Sequence, residues 1–156
     1  MTATLELFEL IGELARRRYQ LAETTFAPLG LNHTEARLLS LLAAAGGASA
    51  QDALCHQLTV DRTNAGRALT RLAEAGYLER RKDPGDKRAN RLHITAKGRK
   101  TVAAITRLRD QMAATFLGNL SGDEARTIVR LFRERLPLPA PASRERVRAA
   151  GGPSVQ

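Results

Sequence analysis

Apolar residues recur at three- and four-residue steps along most of this chain, which is the spacing typical of amphipathic helices. The pattern predicts six helices, over residues 4–27, 33–45, 49–57, 61–75, 96–117 and 122–136. Between the fourth and fifth helices the period changes to two, which is typical of a β-strand. The chain is therefore expected to be mainly α-helical with one small β-hairpin.

Polar residues that can accept hydrogen bonds from first-turn amides stand where most of these helices begin. The predicted caps are Asn32 with Glu35, Ser49 with Asp52, Asp61, Thr95, and Ser121 with Glu124. The fourth helix ends at Gly76, which can adopt the left-handed conformation of a C-cap. Two helices, 49–57 and 61–75, then follow one another through a short turn, as in a helix-turn-helix.

The predicted hairpin comprises strands 77–82 and 88–95, joined by a turn over residues 83–86. Leu92 and Ile94 should lie on its buried face. In the turn, Pro84 presets φ and Gly85 allows a positive φ. A helix-turn-helix followed by a basic hairpin is the layout of a winged helix-turn-helix.

The helix over residues 61–75 has one apolar and one polar face. Its predicted buried stripe consists of Ala65, Ala68, Leu69 and Leu72. The opposite face carries side chains that can read base edges in a DNA major groove, namely Thr63, Asn64 and Arg67. Further candidates for phosphate contacts are Arg62, Thr70, Arg71 and Lys87. Gly66 either allows close approach to the DNA backbone or is merely tolerated in the helix.

The positive charge of the chain is concentrated in this same segment. Of a formal net charge of +9, residues 61–100 contribute 12 Lys/Arg against 5 Asp/Glu, whereas residues 1–60 hold 4 against 6. Neutralising phosphates releases counterions and drives binding, so the distribution favours double-stranded DNA as partner. An acidic protein or a membrane surface could also use the charge. In that case the segment would be a solvated amphipathic helix and an ordinary surface hairpin.

Other function classes have little support in the sequence. At 156 residues the chain can form one domain with a core, and it has no run of about 18 apolar residues that would span a membrane. No nucleophile, phosphate-loop or metal-ligand motif is present, so we expect no enzyme, cofactor or metal site. The single cysteine, Cys55, is expected to be a small buried residue rather than a redox switch, and suggests a reducing, cytoplasmic setting.

The first helix has a wide apolar surface. Two stripes run along it, one through Leu5, Phe8 and Tyr19 and one through Leu7, Ile11 and Leu14. A surface helix of a monomer usually needs only one stripe, so this helix is expected to pack against its own subunit and against another. Residues 137–156 are rich in Pro, Ala, Gly and Arg and are expected to be a disordered tail.

Residues 5–136 resemble the MarR family of bacterial transcriptional regulators. The most specific resemblance lies in the segments LAEAGYL (72–78), DPGDKR (83–88) and ITAKG (94–98). It implies a homodimer in which residues 1–30 and 96–136 form the helical dimer interface and residues 31–95 bind DNA. It further implies that Arg88, held by Asp86, enters a minor groove. Alternatively, Asp86 and Arg88 form only an exposed ion pair on the hairpin, which contributes little to stability.

The resemblance also implies a site for a small aromatic or anionic effector between the two regions. Residues that could line it are Arg16, Tyr19, His33 and Arg37. Each has another explanation, because Tyr19 can serve the core or interface, His33 the start of a helix, and the arginines the solvated surface.

The sequence thus predicts a dimeric winged helix-turn-helix regulator that binds a pseudo-palindromic operator and is expected to be a repressor. The protein is expected to be cytoplasmic and associated with the bacterial nucleoid. A sequence-tolerant architectural DNA-binding protein would use the same fold and charge. A protein-interaction module with a basic face is a second alternative.

Overall fold

The computed structural model describes residues 2–58, 62–86 and 88–136, and it divides into two units, residues 1–118 and 119–156. The predicted six helices and hairpin are confirmed within this part of the chain. The α-helices are α1 Ala3–Thr25, α2 His33–Ala44, α3 Gln51–His56, α4 Arg62–Glu74, α5 Ala96–Leu117 and α6 Gly122–Arg135. The strands are β1 Ala48–Ala50, β2 Leu78–Lys82 and β3 Asn90–Ile94, and a 3₁₀ turn covers Ala27–Leu29.

Most predicted helix caps are confirmed. Asn32 Oδ1 accepts the Glu35 amide and Glu35 Oε2 accepts the Asn32 amide, each at 2.9 Å, so both halves of this capping box are formed. Ser121 and Glu124 form the same box at the start of α6, where the Ser121 hydroxyl lowers the pKa of the Glu124 carboxyl. The predicted cap at Asp61 and the predicted tail at 137–156 lie outside the described residues.

The predicted cap at Ser49 is wrong. Ser49 lies in β1, and its hydroxyl donates to the Ala50 carbonyl at 3.2 Å, while α3 begins after Ala50 without a side-chain cap. The reason is that residues 48–50 pair with β3, placing Ser49 opposite Leu92. The expected two-stranded hairpin is therefore part of a three-stranded antiparallel sheet in the order β1-β3-β2.

The hairpin has the predicted faces but a different turn. Leu92 and Ile94 are buried, and β2 pairs with β3 so that Leu78 lies opposite Ile94. Gly85 is not among the glycines with positive φ, contrary to the prediction. Instead, Asp83 Oδ1 accepts the Gly85 amide at 2.8 Å, and the Asp83 amide donates to the Ala89 carbonyl at 3.1 Å. The Asp83 carboxylate shapes this longer loop, so Gly85 itself does not need a left-handed conformation.

The core of the first unit lies between α2, α4, the sheet and α5. The predicted stripe of α4 is confirmed, because Ala65, Ala68, Leu69 and Leu72 are all 2% exposed or less. Leu38, Leu39 and Leu42 of α2 and Ile105 of α5 complete the contact. Cys55 is buried at 9% exposure, as predicted.

Helix α1 joins this core only near its C-terminal end. Within the helix only Ala22 is buried, and Phe26 is buried just beyond it. Both apolar stripes are otherwise exposed, with Phe8 at 67%, so the expected packing of one stripe on its own unit is wrong over most of the helix. In the second unit, two apolar residues of α6 are also exposed, Ile128 at 39% and Val129 at 48%.

Gly98 is needed where the sheet meets α5. Thr95 caps α5 by accepting the Gly98 amide at 3.0 Å, and its hydroxyl donates to the Gly76 carbonyl at 2.7 Å. This brings the first turn of α5 against β2. A Cβ on Gly98 would overlap the carbonyl oxygen of Tyr77 and lie 2.7 Å from Cγ1 of Ile94.

We therefore predict that Gly98→Ala destabilises the protein, although alanine is the better helix former by about 1 kcal/mol. The matched control is Gly66→Ala in α4, where an added Cβ meets nothing within 4 Å. That change should be neutral or stabilising by up to about 1 kcal/mol. Urea unfolding followed by circular dichroism measures both, and equal effects of the two substitutions would contradict the close approach at Gly98.

Candidate nucleic-acid interface

The polar face of α4 is exposed to solvent because the opposite, apolar face packs against the core. Thr63, Asn64 and Arg67, the predicted base-reading residues, are exposed. They line an open cleft of about 840 Å³ together with Thr70 and Arg71 of the same helix and Tyr19 of α1. We call this feature the α4 cleft. The side chain of Arg62 and all of Lys87, two predicted phosphate contacts, lie outside the described part of the chain.

Arg71 is tied to helix α2. Its Nε donates to Glu35 Oε1 at 2.8 Å, and Glu35 is 5% exposed. The same carboxylate accepts the Asn32 amide, so Glu35 both caps α2 and pairs with α4. Removing the arginine would leave a buried charge uncompensated, which is costly. Arg71 therefore has a structural function beside its predicted phosphate contact, and the remainder of its guanidinium stays at the surface, since the side chain is 61% exposed.

The hydroxyl of Thr70 is also engaged within the protein. It donates to the Gly66 carbonyl at 3.1 Å and accepts from Nη2 of Arg80 at 3.0 Å. Arg80 lies on β2 and was not among the predicted site residues. In the sequence it is one of three consecutive basic residues, and only the pairing of β2 tells which of them lies next to α4.

The loop between β2 and β3, which we call the wing, presents Arg88 in an exposed position. Asp86 Oδ1 accepts the main-chain amide of Arg88 at 2.9 Å, and the predicted contact of Asp86 with the Arg88 guanidinium stays a prediction. A carboxylate two residues before an amide closes an Asx turn, which shapes the loop, and the Arg88 side chain remains exposed. At the base of the wing, the Gly85 amide and, to a lesser extent, Arg91 lower the pKa of the Asp83 carboxyl.

A separate cavity of about 280 Å³ lies between α1, α2 and α5. Four cationic or titratable side chains line it, namely Arg18, His33, Arg37 and Arg109, and we call it the arginine pocket. Two of the four predicted effector residues, His33 and Arg37, are thus brought together. The Tyr19 ring packs edge-on against the His33 ring, with 5.6 Å between the ring centroids, but Tyr19 lines the α4 cleft. Arg16 lines neither the arginine pocket nor the α4 cleft.

Arg18 and Arg109 were missed, although Arg109 lies four residues after the core residue Ile105 on α5 and so shares its helix face. None of the ion pairs among the described residues involves Arg18, Arg37 or Arg109. The pocket is therefore rich in positive charge that no described residue neutralises by direct pairing.

His33 has an unusual position in this pocket. Its Nδ1 is buried and has no hydrogen-bond partner. Burial lowers the pKa of His33, and the positive charges of Arg18, Arg37 and Arg109 lower it further, against a smaller opposing effect of Glu23. These effects favour the neutral form of the imidazole.

Residues 2–58, 62–86 and 88–136 contain no candidate membrane span and no candidate metal site. None of the helices there combines the length and apolar character that a bilayer crossing requires. No three His, Cys, Asp or Glu side chains in those ranges come together as a candidate metal site.

Sequence comparison connects this arrangement with known regulators. A model of the MarR family matches residues 29–89, which include α2, α3, α4, β2 and most of the wing. The transcriptional regulator HosA of Escherichia coli O111:H- is 37% identical over 68 residues, 44% of this chain and 50% of that protein. This chain thus matches about half the length of HosA. The uncharacterized HTH-type transcriptional regulator YybA of Bacillus subtilis is 26% identical over 81% of this chain and 84% of that protein.

Structural comparison extends the similarity beyond the matched domain. The crystal structure of apo wild-type MarR from E. coli superposes with a TM-score of 0.74 and 26% identity, covering 84% of this chain and 96% of that one. A mutant of that protein, solved in complex with operator DNA, has the same TM-score at 24% identity and shares the fold. The family match covers residues 29–89, and the structural comparison shows that the chain is similar in fold to E. coli MarR over most of its length.

Proposed function

We propose that this chain is a sequence-specific, dimeric DNA-binding transcriptional regulator that represses by occupying a pseudo-palindromic operator. The observation that carries the proposal is the joint presentation of the polar face of α4 and the basic wing on a segment with a large excess of positive charge. The E. coli MarR mutant solved with operator DNA, which has the same fold, supports this assignment. The named relatives are regulators, and we propose no catalytic activity and a cytoplasmic location at the nucleoid.

In this proposal α4 enters the major groove. Thr63, Asn64 and Arg67 read base edges, because arginine pairs with guanine and asparagine with adenine. Arg62, Lys87 and the exposed part of Arg71 contact phosphates and set the register on the duplex. Arg88 extends from the wing toward the minor groove, and Asp86 supports it by shaping the main chain of the loop.

We infer the dimer from the apolar surface that the monomer leaves exposed. Leu5, Phe8 and Ile11 of α1 remain exposed, as do Ile128 and Val129 of α6. An exposed apolar helix face of this kind usually marks an interface. We assign residues 1–30 and 96–136 to dimerisation and residues 31–95 to DNA binding, as the family resemblance implies.

We further propose that the arginine pocket binds a small anionic or aromatic effector that releases the protein from DNA. The support is chemical: three guanidinium groups that pair with no described carboxylate line the pocket together with the His33 imidazole, beside the apolar side chains of Phe26 and Met112. A carboxylate attached to a small ring would satisfy the charge and the apolar wall together.

The proposal is tested by selection from random duplexes with the purified chain at near-physiological salt, followed by sequencing. We expect an enriched inverted repeat whose half-sites lie about one helical turn, roughly 10 bp, apart. Retention of DNA without any enriched motif would favour the sequence-tolerant architectural alternative. Absence of retention would contradict DNA binding and direct attention to an acidic protein partner.

Two substitutions separate base reading from backbone contact on the selected duplex. Arg67→Ala should weaken binding by roughly 1–3 kcal/mol and relax the preference at one base position of each half-site. Arg88→Ala should weaken binding without altering the major-groove motif, because minor-groove contacts carry little base information. Repeating the selection with each variant measures both effects, and an unchanged motif with Arg67→Ala would make Arg67 a phosphate contact.

The dimer is tested on α1. Phe8→Glu places a charge in the exposed apolar stripe, and burying an unpaired charge in an interface is strongly unfavourable. We expect the wild type to be dimeric and this variant to be monomeric at micromolar concentration by light scattering coupled to gel filtration. Glu13→Lys, on the polar side of the same helix, is the control and should remain dimeric. A wild-type monomer would overturn the assignment.

The environment of His33 predicts a pH dependence. Because its folded pKa lies below its unfolded value of about 6.5, the unfolded chain binds the proton more readily, and stability falls as pH drops below about 6.5 toward the folded pKa. His33→Gln removes this contribution and leaves the other two histidines, His56 and His93, in place. Urea unfolding at about pH 7.5 and pH 5.5 should therefore show a smaller loss of stability on acidification for the variant than for the wild type. An equal loss would mean that the pocket does not hold His33 neutral.

A further inference from the structure

Arg80 lies on the side of the sheet that faces helix α4. Side chains alternate along β2, so Arg80 shares a face with the buried Leu78, and its partner across the ladder is the buried Leu92. Arg81, the next residue, lies on the opposite face. Arg80 is exposed because it sits farther along the strand than the core, toward the wing.

The head group of Arg80 is held but not neutralised. Its Nη2 donates to Thr70 Oγ1 at 3.0 Å, and the Thr70 hydroxyl in turn donates to the Gly66 carbonyl at 3.1 Å. A guanidinium has five N–H donors, so this single hydrogen bond leaves most of them for another acceptor. No ion pair among the described residues involves Arg80, and the nearby Glu79 pairs with Arg81 at 2.9 Å.

The position of the Arg80 guanidinium can be compared with the arrangement of the two protein elements on DNA in the proposed complex. A helix in the major groove and a wing in the adjacent minor groove lie on either side of one sugar–phosphate strand. Arg80 connects the two elements. Its main chain belongs to β2, the strand that leads into the wing, and its guanidinium donates a hydrogen bond to the side chain of Thr70 in α4. A cation at that place lies next to the phosphates between the grooves.

We propose that Arg80 is a DNA-positioning residue that contacts a phosphate between the two grooves, and that Thr70 acts through Arg80 rather than on DNA directly. This inference rests on the proposed function. It adds a residue that the sequence did not single out and gives Thr70 a different task from the predicted phosphate contact. Its consequence is that the spacing between α4 and the wing is fixed by an internal hydrogen bond before DNA arrives, so less ordering is needed on binding.

The chain offers a matched control in Arg81. It has the same charge on the same strand, one residue away, but it lies on the other face and is already paired with Glu79. Arg80→Gln and Arg81→Gln therefore change the net charge equally. Any difference between them reports the contact and excludes a general electrostatic effect.

The experiment measures the affinity of wild type, Arg80→Gln, Arg81→Gln, Thr70→Val and the double variant Thr70→Val/Arg80→Gln for the selected duplex across a series of salt concentrations. Each phosphate contact contributes about −0.9 to the slope of log affinity against log salt on B-form DNA. Arg80→Gln should bind about tenfold more weakly, with the slope reduced in magnitude by about 0.9 per subunit. Arg81→Gln should change affinity less than about threefold, with an unchanged slope, because its charge lies away from the backbone.

Thr70→Val should weaken binding several-fold while the salt slope stays that of the wild type, because the charge of Arg80 is retained but no longer held in place. In the Arg80→Gln background the same change should have no further effect. Equal effects of Arg80→Gln and Arg81→Gln would overturn the inference, and so would an undiminished cost of Thr70→Val without Arg80. If the wild type itself shows no salt-dependent duplex binding, the proposed function fails first, and the two failures are thereby distinguished.

Discussion

The one-sided burial of α4 is the constraint on which the rest of the interface depends. Ala65 and Ala68 are small enough to bring the helix backbone close to its neighbours, while Leu69 and Leu72 fill the space beneath it. Deleting buried methylene groups from such a position lowers the free energy of unfolding by about 2–5 kcal/mol, so the helix is held in one well-defined position. The polar residues on the other face are then presented together at the surface.

Glu35 links the position of α4 to the arginine pocket. The first turn of α2 has His33 and Arg37 on the arginine pocket and Glu35 on Arg71 of α4. The capping box also fixes the start of that turn. The pocket and the α4 cleft therefore lie on opposite sides of a single helical turn, and the buried carboxylate is shared between the end of one helix and the side chain of the other.

Local sequence signals predicted much of the fold, and tertiary pairing decided what they missed. The period of apolar residues and the capping pairs at Asn32 and Ser121 predicted helices that the structure confirms. Strand β1 was missed because three small residues have no alternation, and its existence depends on a partner more than forty positions later, at 91–93. Pairing with β3 then displaced the cap expected at Ser49.

The candidate site divides in the same way. Residues on the exposed face of α4 could be named from helical spacing alone, because the buried face is apolar throughout. The task of Arg80, the double role of Glu35 and the contribution of Arg18 and Arg109 depend on which elements meet, which no local pattern specifies. The contact of Asp86 with a main-chain amide likewise follows from the loop conformation and could not be read from the motif.

The central claim is geometric, namely that two copies of α4 and the wing meet one face of a duplex. Guanine methylation interference combined with hydroxyl-radical protection on the selected duplex tests it most directly. The account predicts two major-groove footprints about one turn apart, related by two-fold symmetry, each flanked by minor-groove protection from a wing. A single footprint, or uniform protection along the duplex, would contradict it.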